Sequence, residues 1–124
     1  MDNLFESNTP IYLQLVRLFT VRIACGEWKP GDRLFSVRDL AVQYKVNPNT
    51  VQRALSDLER DGLVYAERTS GRFITSDERV IRSARDGLIR REVDGFLINM
   101  QELGLNAEDC ENLLRMRAKK DGSL

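Results

Sequence analysis

Five polar side chains between positions 47 and 53 are of the types that bind DNA base edges and phosphates. They are Asn47, Asn49, Thr50, Gln52 and Arg53. Asparagine and glutamine pair with adenine, threonine meets a base or the thymine methyl, and arginine suits guanine or phosphate. The amide groups and dipole of a helix N-terminus favour phosphate nearby. A solvated helix face has a similar composition, so this segment alone leaves both interpretations open.

Three arginines outside that segment are the other candidates. Arg38 lies in the first turn of a short predicted helix and faces the same side as the start of the next one. It can donate bidentately to guanine or phosphate, or it can pair with a nearby acid. Arg68 and Arg72 flank the tip of a predicted hairpin. There they can follow the DNA backbone or enter the minor groove, or they can pair across the strands with Glu67 and its neighbours.

The helices that position these side chains follow from apolar spacing and cap residues. Three helices are predicted, whose buried faces are Ile11, Leu15, Leu18, Phe19 and Ile23; Val37, Leu40, Ala41 and Tyr44; and Val51, Ala54, Leu55 and Leu58. Ser36 and Asn47 are predicted to cap the second and third helices, with Pro48 following as the first helical residue. Gly62 is predicted to end the third helix by adopting a left-handed backbone conformation. Only two or three residues separate the second and third helices, which predicts a helix-turn-helix.

After Gly62 the pattern changes from helical to β. The segments "LVYAER" and "RFIT" are rich in β-branched and aromatic residues and are joined through Thr69, Ser70 and Gly71. They predict a two-stranded hairpin with glycine at its tip. The expected fold class is therefore mainly α with a small β-hairpin. It is an N-terminal winged helix-turn-helix over residues 1–76, followed by a two-helix tail over residues 77–124.

The first tail helix is predicted to be about 25 residues long and to carry a heptad-like apolar seam. The residues of this seam are Ile89, Val93, Phe96, Met100 and Leu103. The seam could join two copies of the chain, or it could pack against the winged domain or the last helix. Gly104 is predicted to end the first tail helix, and Asn106 to cap the last one with Asp109 behind it.

Composition excludes several classes of function. The 124 residues carry 19 Lys+Arg and 19 Asp+Glu, so any basic surface must be local. The chain has no histidine, and Cys25 and Cys110 form no C-x-x-C motif. Without histidine the chain lacks the commonest general base and the ligands of most zinc sites. No catalysis, metal or cofactor is therefore expected. No signal peptide or 18-residue apolar run is found, which predicts a cytoplasmic protein with no membrane partner.

Roughly residues 10 to 75 carry a specific resemblance. The segment "GDRLFSVRDLAVQYKVNPNTVQRALSDLERDGLVYAERTSGRFIT" resembles the DNA-binding domain of the GntR family of bacterial transcription regulators. The sequence pattern of that family contains four motifs, in this order: Leu-Pro-Ser-x-Arg-x-Leu-Ala, Thr-Val-x-x-Ala-Leu, Leu-Glu-x-x-Gly-Leu and Gly-x-Gly-Thr-Phe-Val. "VNPNTVQRAL" and the short helical tail resemble the compact YtrA-type branch. Phe35 replaces the usual proline, Thr69 the first wing glycine and Arg72 the wing threonine, while Pro48 stands where many relatives have arginine.

The resemblance implies a sequence-specific DNA-binding transcription regulator. The family contacts that map onto this chain are Ser36, Arg38, Asn47, Asn49, Thr50, Gln52 and Gly71, to which the helix face adds Arg53. The resemblance also implies a homodimer made by the tail helices, acting as a repressor on an inverted-repeat operator. Larger relatives bind small molecules, so an effector of unknown identity is allowed here. The alternative is a winged helix that binds proteins and not DNA, which zero net charge favours.

Overall fold

The computed structural model describes residues 9–121, except for the side chain of Asp121. Its elements, in order, are α1 (Ile11–Ala24), α2 (Val37–Tyr44), α3 (Pro48–Arg60), β1 (Val64–Glu67), β2 (Gly71–Ile74), α4 (Glu78–Glu102) and α5 (Ala107–Asp121). The chain divides into two compact units, with the boundary between Asp86 and Gly87 inside α4. The predicted fold class, a winged helix-turn-helix followed by two helices, is confirmed.

The first unit is built around one apolar core to which α1, α2 and α3 all contribute. Its buried helix residues are Leu15, Phe19, Ile23, Leu40, Ala41, Tyr44, Val51, Ala54, Leu55 and Leu58. Leu34, Leu63, Val64 and Ile74 continue this core beneath the hairpin. The prediction that Ile11 is buried is wrong, because Ile11 is the first residue of α1 and lies one turn before the first core layer.

Side-chain caps fix where α2 and α3 begin. Ser36 Oγ accepts a hydrogen bond from the Asp39 N–H at 3.1 Å, and Asn47 Oδ1 accepts one from the Asn49 N–H at 2.7 Å. Pro48 takes the first position of α3, where no N–H is required. Between the two helices Lys45 adopts a left-handed conformation with φ 57°. The predicted caps and tight turn are confirmed, and they fix the geometry of the helix-turn-helix.

The hairpin is antiparallel, and the chain segment before α2 pairs with its second strand, β2. Its register pairs Val64 with Ile74, Tyr65 with Phe73, Ala66 with Arg72 and Glu67 with Gly71. Arg33 forms an isolated bridge with Phe73, and the Leu34 N–H donates to the Arg72 carbonyl at 2.8 Å. We call the hairpin of β1 and β2 the wing. The backbone therefore ties the segment entering α2 directly to the wing.

The loop before α2 contains a type II turn at Pro30 and Gly31. Gly31 has φ +82°, and the Asp32 N–H donates to the Lys29 carbonyl at 3.0 Å across Pro30 and Gly31. A type II turn needs positive φ at its third position, which is why glycine follows proline here.

The helix α4 begins as part of the first unit. Val80, Ile81 and Ala84 pack against the core of that unit. Asp77 accepts a hydrogen bond from the Arg79 N–H at 3.0 Å, and the Arg79 side chain also donates to its carboxylate. The hydrogen bond from the Arg79 side chain lowers the pKa of the Asp77 carboxyl. This favours the charged form of Asp77, which lies at the positive end of the α4 dipole.

The second unit consists of the rest of α4, together with α5. Asn106 and Asp109 cap α5 reciprocally, with N–H to side-chain oxygen distances of 2.9 and 2.8 Å. Cys110 is the one buried residue within the described part of this unit. Along the apolar seam, Ile89, Val93 and Leu103 are 48%, 49% and 75% exposed. No helix within residues 9–121 is both long and apolar enough to cross a membrane.

Candidate nucleic-acid interface

The helix α3 has one buried face and one polar face. Four of the five polar residues predicted to contact DNA, Asn47, Asn49, Gln52 and Arg53, are exposed, and Thr50 is half-buried. The buried residues of α3 occupy the other side of the helix and belong to the core. The structure thus brings the predicted contacts together on the solvent side of the first two turns of α3.

Capping limits what Asn47 can offer to a ligand. Its Oδ1 already accepts the hydrogen bond from the Asn49 N–H. A bidentate pair with adenine needs both the oxygen and the nitrogen of an amide. The remaining Nδ2 donors of Asn47 therefore suit a phosphate oxygen, whereas the Asn49 and Gln52 side chains are better placed to pair with a base.

Arg38 is exposed in the first turn of α2, which packs against α3. The ion pairs found within residues 9–121 do not include it, so the alternative of a surface arginine paired with an acid is not what the structure contains. Its planar guanidinium keeps its donors for a bidentate acceptor.

The two wing arginines have different surroundings. Arg68 lies exposed in the turn between β1 and β2. Arg72 donates from Nε to a carboxylate oxygen of Glu59 on α3, and its side chain is 22% exposed. The register places Arg72 opposite Ala66, so cross-strand pairing with Glu67 is not formed. Arg72 links the wing to α3, and a phosphate contact by this residue stays a prediction.

We expect Arg72→Ala to lower the free energy of unfolding by about 1 kcal/mol, because it leaves the half-buried Glu59 carboxylate without its cation. Thermal unfolding followed by circular dichroism measures this change. Arg68→Ala is the matched control, since it removes the same charge from the same hairpin without breaking an ion pair of the described chain. Equal unfolding temperatures for the two variants would contradict a structural role for Arg72.

A cleft of about 540 Å³ lies between the start of α2 and the wing. Its lining residues are Arg33, Leu34, Phe35, Ser36, Val37, Asp39, Gly71 and Arg72. The Arg33 guanidinium crosses Gly71, with Nε 3.4 Å from the position that a Cβ there would occupy. Gly71 also has φ +97°, a conformation that glycine adopts without strain.

Sequence reasoning missed Arg33 as a candidate contact. It lies in a loop, where no periodicity indicates a neighbour, and the backbone pairing of its segment with β2 brings it beside the wing. Among residues 9–121 it forms no ion pair with a carboxylate. The sequence offered one signal for Arg33, namely that it is a basic residue close to the predicted cap Ser36. Arg33 therefore adds a cation to the cleft between the two predicted DNA-binding elements.

Arg53 is held differently from the other arginines. Its guanidinium carbon lies 3.6 Å from the centroid of the Tyr12 ring on α1. This is a cation–π stack between two helices that pack together in the first unit. Tyr12 was not among the residues that the sequence singled out.

Comparison with known proteins decides the family. The family model described as "Bacterial regulatory proteins, gntR family" matches residues 11–74. The chain belongs to the GntR family. The matched range of this GntR protein begins with α1 and ends with β2, so it includes the helix-turn-helix and the hairpin.

Relatives of this GntR protein extend the likeness into the tail. It is 45% identical over 109 residues to YhcF of Bacillus subtilis (strain 168), an uncharacterized HTH-type transcriptional regulator, covering 88% of this chain and 90% of YhcF. It is 33% identical over 111 residues to the HTH-type transcriptional repressor YtrA of the same strain, covering 89% of this chain and 85% of YtrA. The predicted resemblance to the YtrA-type branch is thus confirmed over most of the chain.

Solved structures support the same assignment for this GntR protein. A GntR family transcriptional regulator from Listeria monocytogenes matches with a TM-score of 0.84 and 34% identity, covering 90% of this chain and 98% of that one. AraR(DBD) in complex with operator ORX1 matches with a TM-score of 0.53 and 27% identity, covering 60% of this chain and 90% of that one. The second likeness concerns a domain solved with DNA bound.

Proposed function

We propose that this protein is a sequence-specific DNA-binding transcription regulator, which acts as a homodimeric repressor on an inverted-repeat operator. The observation that carries the proposal is the polar, exposed start of α3 beside the exposed Arg38 of α2, which makes no ion pair within residues 9–121. In a helix-turn-helix the second helix enters the major groove and contacts base edges with its N-terminal residues. The first unit presents such residues on the side opposite its core.

The proposed contacts divide into base readers and backbone binders. Asn49 and Gln52 carry amides that can pair with adenine, Thr50 can meet a base or a thymine methyl, and Arg38 can donate to guanine. The backbone binders are Ser36, Asn47, Arg53, Arg68, Gly71 and Arg72, together with Arg33 from the cleft. Phosphate contacts fix register and orientation, while base contacts carry the sequence information.

Dimerisation is proposed from the apolar surface of the second unit. Large exposed hydrophobic residues of the described chain lie there, namely Ile89, Val93 and Leu103 of the seam and Leu113, Leu114 and Met116 of α5. Burying a half-exposed isoleucine or leucine gains about 1 kcal/mol. The seam residues of α4 would gain this free energy by packing against a second copy of the chain. Residues 1–76 would then bind DNA, and residues 77–124 would join the two copies.

The comparisons support repression. YtrA is named a transcriptional repressor, and the AraR domain was solved on an operator. A dimer that occupies an operator blocks polymerase by occupancy alone, so repression needs no further domain. A symmetric dimer with two copies of α3 also fits an inverted repeat whose half-sites lie about one helical turn apart.

A winged helix that binds a protein partner is the second candidate function, and the zero net charge favours it. A gel shift on genomic fragments at low salt separates the two. We expect retarded bands that weaken as salt rises, because phosphate contacts release counterions. Unretarded fragments at micromolar protein would support the protein-binding alternative.

A further inference from the structure

The stack between Tyr12 and Arg53 joins a ring on α1 to a cation on the polar face of α3. Arg53 is exposed and Tyr12 is half-buried. The guanidinium carbon lies over the ring, 3.6 Å from its centroid, which is a close cation–π contact. Tyr12 is not among the proposed contacts, and the stack is a way for it to affect DNA binding through Arg53.

A stacked guanidinium keeps its hydrogen-bonding capacity. The five N–H donors of arginine point outward in the plane of the group, whereas the ring covers only one face. The stack also orders a long side chain before any ligand arrives. Ordering a flexible side chain on binding otherwise weakens affinity by about two- to tenfold.

The position of the ring decides which part of DNA the guanidinium meets. Because Tyr12 lies on α1, the stack holds the Arg53 guanidinium against a neighbouring helix. Base edges are contacted by residues along a recognition helix, and phosphates lie to either side of the groove. A guanidinium held against a second helix therefore suits a backbone phosphate better than a base edge.

We propose that Tyr12 is a positioning residue for DNA binding, whose ring holds the Arg53 guanidinium edge-outward for a backbone phosphate of the operator. This inference rests on the proposed function, because it concerns the same surface. It adds a residue of α1 to the DNA-binding apparatus and assigns the class of group that Arg53 contacts.

The test uses the full chain and a duplex that the wild-type protein selects from a random-sequence library. Tyr12→Leu removes the ring and is expected to weaken binding by about threefold per protomer, so about tenfold for a dimer. Tyr12→Phe keeps the ring, and its affinity should stay within about twofold of wild type. A loss with Tyr12→Phe as large as with Tyr12→Leu would overturn the proposal, because the hydroxyl and not the ring would then matter.

A double-mutant cycle adds a readout that a purely structural role would not move. Arg53→Ala should lower the slope of log affinity against log salt by about one per protomer. In the Arg53→Ala background, Tyr12→Leu should weaken binding by less than about twofold, since no guanidinium is left to position. The same loss in both backgrounds would overturn the proposal.

Folding and the proposed function are checked separately. If circular dichroism shows that Tyr12→Leu is unfolded, Arg53→Lys tests the stack instead, because Arg53 is its exposed member. It keeps the charge but loses the planar group, and an unchanged affinity would overturn the proposal. A wild-type chain that selects no duplex contradicts the proposed function itself. A folded Tyr12→Leu variant with full affinity contradicts only the role of Tyr12.

Discussion

Replacing Arg38 with alanine is expected to remove most of the preference for operator over other duplexes, while weak, salt-sensitive binding to any duplex remains. Loss of a bidentate guanine contact costs roughly 1–3 kcal/mol per half-site. A symmetric dimer loses it twice, so specific affinity should fall by about 30-fold to 10⁴-fold. Arg38 is exposed and makes no ion pair within the described chain, so its removal should leave stability nearly unchanged.

The measurement for Arg38 is a salt titration on the operator and on a scrambled duplex. Arg68→Ala is the matched control, because Arg68 is also exposed but lies in the wing turn. This variant should lower the affinity for both duplexes by about the same factor. It should also lower the slope of log affinity against log salt by about one per protomer. If folded Arg38→Ala keeps the wild-type ratio of specific to non-specific affinity, then the polar face of α3 reads the sequence without it.

Breaking the seam of α4 is expected to give a monomer that binds operator about 10²- to 10⁴-fold more weakly. Two linked half-site readers gain affinity through effective concentration, and separate monomers lose that gain. Val93→Asp places a charge in the seam, where Val93 is about half exposed. Ile98→Asp is the matched control, since Ile98 lies on the same helix, on the side opposite the seam, and is also exposed.

Sedimentation of both variants and of wild type at micromolar concentration decides the role of the seam. We expect wild type and Ile98→Asp to be dimers and Val93→Asp to be a monomer. A shortened chain ending at Asp86, which keeps the α4 residues that pack on the core, should also be a monomer. A wild-type chain that sediments as a monomer would contradict the dimer.

The local parts of the fold could be predicted from sequence because their causes lie within a few residues. The Ser36 and Asn47 caps, the turn at Gly31 and the stop at Gly62 each depend on the preferences of one residue. The buried stripe of α3 follows from helical spacing alone. These features were enough to predict the helix-turn-helix and hairpin, and with them the polar face of α3.

The contacts between elements could not be predicted in the same way. Arg72 reaches Glu59 on another element, Arg33 reaches the wing through a backbone bridge, and Arg53 stacks on a ring far away in the chain. No local pattern specifies such partners, because they depend on how folded elements pack. Sequence therefore identified Arg38, Arg53, Arg68 and Arg72 as candidates by type and position. The structure shows that, within residues 9–121, Arg72 is paired with a carboxylate and Arg53 is stacked on a ring.

Selection of DNA from a random-sequence duplex library by the full-length chain tests the central claim most directly. We predict that repeated rounds enrich one inverted repeat with half-sites about one helical turn apart, as expected for two copies of α3 in successive major grooves. Enrichment should fail with Arg38→Ala under the same conditions. Recovery of duplexes without any common sequence, or of no duplex at all, would contradict the account.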